Sequence, residues 1–116
     1  MLQKKLSSFK FAFNGLVIAL KEEFNFRVHV VLAALAIFLG VYFDLNTSEW
    51  LFVVAAIGLV ITAELFNTAL EELCDMLNPI HDPHVAKIKD LSASAVLTAS
   101  FAALIIGLTV FLPHFV

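Results

Sequence analysis

Three long stretches of this chain contain no Asp, Glu, Lys or Arg, and these gaps restrict its possible folds more than any other feature. The stretches cover residues 28–43, 50–63 and 91–116. A helix needs about 20 predominantly apolar residues to cross the hydrocarbon core of a bilayer. The last stretch meets this requirement directly, and the first meets it with a few flanking residues. The middle stretch meets it only if its helix continues past Glu64 toward Leu73.

Composition indicates one membrane-embedded domain over the whole chain, residues 1–116. Hydrophobic residues make up 61% of it and charged residues 15%, against about 45–50% and about 25% in soluble domains. The net charge of −3 lacks the basic excess of a nucleic-acid-binding protein, so no nucleic-acid partner is expected. We predict an all-α integral membrane protein with transmembrane helices at 27–45, 48–76 and 88–113.

The N-terminal segment, residues 1–24, has a different pattern. Its apolar residues recur at alternating steps of four and three, at Leu2, Leu6, Phe9, Phe13, Leu16 and Leu20. Other positions carry the polar residues Lys4, Lys5, Lys10, Asn14 and Lys21. The pattern predicts an amphipathic helix that lies in the membrane interface instead of crossing the bilayer.

The basic residues indicate how the chain is oriented. There are seven, at Lys4, Lys5, Lys10, Lys21, Arg27, Lys87 and Lys89. The loop at 44–49 has none. Because cytoplasmic loops carry an excess of Lys and Arg, we predict that the N-terminus and the loop near 77–88 are cytoplasmic and the C-terminus is outside.

Four polar residues share one face of the second predicted transmembrane helix: Glu64, Asn67, Glu71 and Asp75. At about 100° per residue they fall within an arc of roughly 80° and extend along about 16 Å of helix. Ionisable groups at membrane depth are costly and usually functional, and Glu64 follows 14 uncharged residues. Such acids suit proton-coupled transport or a general base, and acids with a divalent cation suit phosphate binding. The residues alone leave these alternatives open.

The acidic face belongs to a longer pattern. It reads Glu64-x-x-Asn67-x-Ala69-x-Glu71-x-x-x-Asp75, followed by Ala86-Lys87-Ile88-Lys89-Asp90 and Ser92-Ala93-Ser94-Ala95-Val96. Upstream come Ser8-Phe9-Lys10-Phe11-Ala12-Phe13-Asn14-Gly15 and Glu22-Glu23-Phe24-Asn25-Phe26-Arg27. These segments cover nearly the whole chain in order, and together they resemble the prokaryotic diacylglycerol kinase and undecaprenol kinase family.

The resemblance implies a small membrane lipid kinase that uses MgATP and works as a homotrimer, with sites shared between neighbouring subunits. Glu64 resembles the family's catalytic base, which takes the proton from the lipid hydroxyl. Asn67 matches the site asparagine, which would orient the base or the substrate. Glu23 and Glu71 match the acids that hold Mg²⁺ against the ATP phosphates.

Further residues are implicated in nucleotide binding by the same resemblance. Lys89 and Asp90 match the family's nucleotide-contacting pair. The loop before them would approach ATP, so His81 and Asp82 are further candidates for nucleotide contacts.

The chain departs from the family pattern at several positions. Phe11 stands in place of a nucleotide-contacting tyrosine, and Lys4 stands where an arginine is usual, so both remain candidates for the nucleotide site. Ala86 replaces a glycine. His29 replaces an acidic residue, and we expect it to be an interfacial anchor. The base, the metal-binding acids and the asparagine are intact, so we expect the departures to affect nucleotide affinity more than activity.

The resemblance therefore implies an ATP- and Mg²⁺-dependent lipid kinase of the bacterial inner membrane. Residues 25–29 and 8–10 favour undecaprenol as the lipid alcohol, with diacylglycerol close behind. One alternative is a small proton- or cation-coupled membrane protein that uses Glu64 and Glu71 without a nucleotide. The other is an inactive structural subunit.

Overall fold

The computed structural model describes residues 1–77 and 82–116, and every regular element in them is an α-helix. The helices are α1 (Leu2–Glu22), α2 (Phe24–Tyr42), α3 (Thr47–Leu77) and α4 (Pro83–Phe115). By length and composition, α2, α3 and α4 can each cross a membrane. This confirms the predicted all-α membrane fold with three transmembrane helices after a separate N-terminal helix.

The first helix, α1, packs against the rest of the chain only near its C-terminal end. Its residues are nearly all exposed, and only Ala19 is buried. Arg27 donates hydrogen bonds from Nη1 to the carbonyl oxygens of Leu20 and Lys21, at 2.9 and 3.0 Å. These carbonyls lack partners within α1, and the cation is favourable at the negative end of the helix dipole. Arg27 thus ties α1 to α2 at the corner formed by Glu23.

The third helix, α3, is the central element, because it packs against both α2 and α4. Four of its five buried residues, Val53, Ala56, Val60 and Glu64, repeat at steps of three and four, which places them on one face. Three of these side chains are apolar, and the fourth is a carboxylate. The buried face of α3 therefore changes from apolar to polar at Glu64.

The fourth helix, α4, begins at Pro83, earlier than the predicted start at 88. The Asp82 side chain accepts a hydrogen bond of 2.8 Å from the backbone N–H of His84, which caps the helix. Proline suits the first helical position because the missing N–H has no partner there. Pro83 therefore starts a helix here and does not interrupt one.

The opposite end of the α3–α4 pair is held by Glu49. Its Oε1 accepts a hydrogen bond of 3.1 Å from the N–H of Asn46, whose Oδ1 accepts one of 2.9 Å from the N–H of Glu49. This reciprocal pair caps the start of α3. The other oxygen, Oε2, lies 2.8 Å from Nε2 of His114 near the end of α4. A single carboxylate therefore caps one helix and ties it to another.

Near the same end, α2 and α3 approach closely at Gly40, which is buried. A Cβ atom there would lie 2.5 Å from Cη2 and 2.9 Å from Cζ2 of Trp50. Such distances require the indole ring or a helix to move.

We expect Gly40→Ala to destabilise the protein by about 1–3 kcal/mol, as overpacking of a close contact does. Thermal unfolding in detergent would measure this. Gly58→Ala in α3 is the matched control, since a Cβ there meets nothing within 4 Å. Adding Trp50→Leu to Gly40→Ala should recover part of the loss. Equal melting temperatures for the two glycine variants would contradict the steric explanation.

Candidate functional site

The polar residues in the second half of α3 lie at the end of the bundle that also contains the start of α2 and the start of α4. We call Glu64, Asn67, Glu71 and Asp75 the α3 polar face. Three of them have a polar partner on another helix, and Glu71 is bonded within α3. The site is therefore a series of linked side chains and not four separate surface groups.

Glu64 is the deepest member of the α3 polar face. It is 3% exposed and is the one buried carboxylate in the described part of the chain. Its Oε1 lies 3.2 Å from Nε2 of His29 on α2. Few water molecules compete for a carboxylate that is buried in this way, so it can accept a hydrogen bond from a nearby substrate hydroxyl.

Asn67 connects two helices through both atoms of its side-chain amide. Its Nδ2 donates to Oε1 of Glu71 at 3.3 Å, and its Oδ1 accepts from the hydroxyl of Ser92 on α4 at 2.8 Å. Ser92 is buried, 6% exposed. Because the Ser92 hydroxyl donates to the amide oxygen of Asn67, the amide nitrogen of Asn67 is directed to the Glu71 carboxylate. Ser92 therefore orients Asn67, and Asn67 orients Glu71.

Asp75 and Lys89 form an ion pair between α3 and α4 at the mouth of the site. The two side chains are 64% and 40% exposed, so the pair adds little to stability. Lys89 can therefore exchange this carboxylate for another anion, such as a phosphate, at small cost.

Glu23 lies at the corner between α1 and α2 and is half-buried. Desolvation there, followed by the negative charges of Glu71 and Glu22, raises the pKa of the Glu23 carboxyl. Glu64 and Glu72 act in the same direction more weakly. The region between this corner and α3 therefore holds negative charge that a cation would neutralise.

The donor set fits Mg²⁺ held jointly with a phosphate ligand. Mg²⁺ is usually bound through one or two carboxylates, with phosphates and waters completing its shell. Glu23 and Glu71 can supply two carboxylates. Within residues 1–77 and 82–116, no group of three or more His, Cys, Asp or Glu side chains could hold an ion without other ligands. The site therefore suits a cation that arrives with its substrate.

The sequence pattern of the family described as prokaryotic diacylglycerol kinase matches residues 10–111. The chain belongs to the prokaryotic diacylglycerol kinase family. This confirms the resemblance found in the sequence, and the match includes α2, α3 and most of α4.

Several family members are similar to the chain along most of its length. The undecaprenol kinase of Bacillus subtilis is 33% identical over 112 residues, which cover 97% of this chain and 91% of that one. The diacylglycerol kinase of Synechocystis is 35% identical over 109 residues, covering 93% of this chain but 62% of that one. The diacylglycerol kinase of Escherichia coli K12 is 26% identical over 105 residues, with 90% and 86% covered.

The structure brings together only some of the residues that the family resemblance singled out. Glu64, Asn67 and Glu71 lie in sequence on α3, and the Glu23 carboxyl is close enough to feel the charges of Glu64 and Glu71. Lys89 reaches the same α3 face through Asp75. Glu23, Glu64, Asn67, Glu71 and Lys89 define the candidate kinase site within one chain.

The other candidates for nucleotide contacts lie apart from this cluster or have other contacts. Lys4 and Phe11 are exposed on α1, and no ion pair in the described part of the chain joins Lys4 to an acid of the site. Asp90 is exposed on α4, and Asp82 caps that helix. His81 lies outside the described residues.

Two residues of the site were not identified from the sequence. His29 was expected to be an interfacial anchor, yet its ring contacts Glu64. Ser92 was assigned only to a run of small residues, yet it orients Asn67. No signal in the sequence could have found His29, because the burial of Phe26, one helical turn before it, is itself a result of the fold.

Proposed function

We propose that this chain transfers the γ-phosphoryl group of ATP, with Mg²⁺, to the hydroxyl of a membrane lipid alcohol, and that undecaprenol is preferred to diacylglycerol. The observation that carries the proposal is the buried Glu64 carboxylate at the inner end of a polar face in a family of lipid kinases. The preference for undecaprenol is supported by the similarity to the Bacillus subtilis undecaprenol kinase over 97% of this chain.

In this proposal Glu64 is the catalytic base. The lipid hydroxyl approaches Glu64 from the bilayer, loses its proton to the carboxylate, and attacks the γ-phosphorus in line with the leaving ADP oxygen. Burial suits Glu64 to this role because few competing water molecules reach it. Asn67 acts beside it by holding Glu71 in a fixed orientation.

Glu23 and Glu71 would hold Mg²⁺ together with oxygens of the ATP phosphates. When bound, the metal supplies positive charge that stabilises the charge developing on the transferred group and the leaving oxygen. Lys89 would leave Asp75 to contact the phosphates, and Asp90 would contact the nucleotide beside it. Phe11, Lys4, Asp82 and His81 complete the proposed set of nucleotide contacts.

A homotrimer with shared sites is part of the proposal. Lys4 and Phe11 are exposed on α1, which leaves them available to a neighbouring subunit. Light scattering of the purified protein in detergent would measure the number of chains. Inactive variants of Lys4 and Glu64 that regain activity when mixed in one oligomer would support a site made by two subunits.

We also propose that the protein lies in a bacterial inner membrane with its N-terminus in the cytoplasm and its C-terminus outside. The basic residues support this orientation, because they belong to α1, the start of α2 and the start of α4. The same side contains the α3 polar face and has access to ATP. Labelling of single cysteines placed at 4 and 115, in a Cys74→Ala background, would test it.

The decisive experiment uses the purified chain in mixed micelles with radiolabelled ATP, Mg²⁺ and equal amounts of undecaprenol or diacylglycerol. We expect phosphate to be transferred to both lipids, and faster to undecaprenol. Faster transfer to diacylglycerol would reverse the substrate preference. No lipid phosphate with either alcohol would refute the kinase, and a proton flux in liposomes without ATP would then favour the proton-coupled alternative.

A further inference from the structure

We propose that His29 is a proton relay for Glu64: it accepts the proton that Glu64 removes from the lipid hydroxyl and passes it to water. The inference rests on the proposed function, because it requires Glu64 to be the base. It assigns to His29 a positioning role in turnover, since the imidazole acts on the substrate only through the carboxylate.

The first argument is the geometry of the pair. Nε2 of His29 lies 3.2 Å from Oε1 of Glu64, which is within reach of a proton transfer. The side chain of Glu64 is 4% exposed and that of His29 is 20% exposed. Of the two partners, the imidazole is the more exposed. A proton on Glu64 therefore leaves the packed helices more directly through His29 than through the side chains of α3.

The second argument is that the other polar groups of the α3 polar face are already occupied. The Asn67 amide is bonded to Glu71 and Ser92, and Asp75 is paired with Lys89. Among the described residues, His29 is the polar side chain recorded in contact with Glu64. A base that must turn over many times needs a group to receive its proton, and the structure provides one such group.

The third argument is the surroundings of the imidazole. His29 lines a groove between α2, α3 and α4 together with Ile57, Ile61, Ser100 and Leu104. The other lining residues of this groove are aliphatic, and none is titratable. Glu64 faces His29 from α3. Along α2, Arg27 is engaged with the end of α1, and Glu23 lies at the corner beyond it. Glu64 is thus the charged group that acts on the ring directly.

The proton balance of the step is complete. The lipid O–H bond breaks, its electron pair forms the new O–P bond, and the bond between the γ-phosphorus and the bridging oxygen breaks with its pair on ADP. The imidazole is neutral with its proton on Nδ1, so the proton passes from the lipid oxygen to Oε1 of Glu64 and then to the lone pair on Nε2 of His29. It leaves to water, so that both side chains return to their starting protonation states.

The test compares wild type with His29→Gln, which keeps a polar side chain beside the Glu64 carboxylate but cannot carry a proton. We expect kcat to fall about tenfold or more, less than the roughly 10²- to 10⁴-fold that a general base itself contributes. KM for lipid and for MgATP should be unchanged. Because a relay must be neutral to accept a proton, the kcat of wild type should depend on pH more steeply than the kcat of His29→Gln.

A chemical rescue distinguishes a relay from a structural role. His29→Ala leaves space beside the groove, and added imidazole should restore part of its kcat but none of that of Glu64→Ala. His114→Gln is the matched control, because His114 also pairs with a glutamate, Glu49, at the far end of the protein. Its pH profile should equal that of wild type. If His29→Gln proves unfolded by circular dichroism, His29→Asn replaces it.

The outcomes separate the relay from the proposed function. An inactive wild type refutes both. An active wild type, an inactive Glu64→Gln and a His29→Gln with unchanged kcat and pH profile refute the relay alone. A reduced kcat in His29→Ala that imidazole does not restore also refutes the relay, and leaves His29 as a packing residue.

Discussion

Glu64→Gln is expected to lower kcat for lipid phosphorylation by about 10²- to 10⁴-fold, because the amide cannot accept the proton of the lipid hydroxyl. The substitution preserves the shape of the side chain and its ability to bond to His29. MgATP binding, measured by calorimetry in detergent, should be retained. Glu72→Gln, at an exposed position of the same helix, is the matched control and should keep wild-type turnover.

The same variant should be at least as resistant to heat as wild type. A buried carboxylate loses its hydration on folding, and a neutral amide of the same size avoids much of that cost. Loss of activity with an unchanged or higher melting temperature would show that Glu64 contributes to catalysis and not to stability. Full turnover by Glu64→Gln would remove it from the role of base, whatever its effect on stability.

The second large effect is expected at Glu71. Glu71→Gln should raise the Mg²⁺ concentration for half-maximal activity by more than the roughly 10- to 100-fold that loss of an outer-shell partner costs. The reason is that the substitution replaces a carboxylate that would bind the ion directly. Mg²⁺ titrations of activity at saturating ATP would measure the shift. An unchanged Mg²⁺ requirement would mean that the acid serves another purpose.

Substitutions of Asn67 and Ser92, the residues that orient Glu71, should raise the Mg²⁺ requirement by a smaller factor. Asn67→Leu removes the amide that orients the carboxylate, and it also leaves the Ser92 hydroxyl without its acceptor. We expect it to raise the Mg²⁺ concentration for half-maximal activity about 10- to 100-fold. Ser92→Ala leaves the amide in place but free to rotate, so its effect should be smaller still. Reversal of this order would contradict the proposed chain of orientation from Ser92 through Asn67 to Glu71.

The transmembrane helices could be predicted from the sequence because the gaps between charged residues are long compared with a helical turn. Their ends could not. The helix predicted at 27–45 extends from Phe24 to Tyr42 in the structure. Arg27 therefore lies inside α2 and does not mark its start, and its side chain bonds to the end of α1. The start of α4 at Pro83 depends on a capping contact from Asp82. Helix ends are decided by such local bonds, to which hydropathy is insensitive.

Periodicity was sufficient to place Glu64, Asn67, Glu71 and Asp75 on one face, because that arrangement is a property of a single helix. It could not identify their partners. Which residue of α2 meets Glu64, and which residue of α4 meets Asn67, depends on how far each helix is shifted along its neighbour. That shift is a result of packing in three dimensions, so His29 and Ser92 became visible only in the folded chain.

The contacts between α3 and α4 limit which insertions and deletions the chain can tolerate. Polar bonds join the two helices at both ends, through Asp75 and Lys89 on one side and Glu49 and His114 on the other. Between these ends the recorded contacts are apolar apart from the bond of Ser92 to Asn67. Apolar side chains there can be exchanged for one another. A single residue inserted into the middle of α4 would rotate and shift one end relative to the other, so both pairs could no longer form together. We therefore expect this part of the sequence to tolerate substitution far better than insertion or deletion.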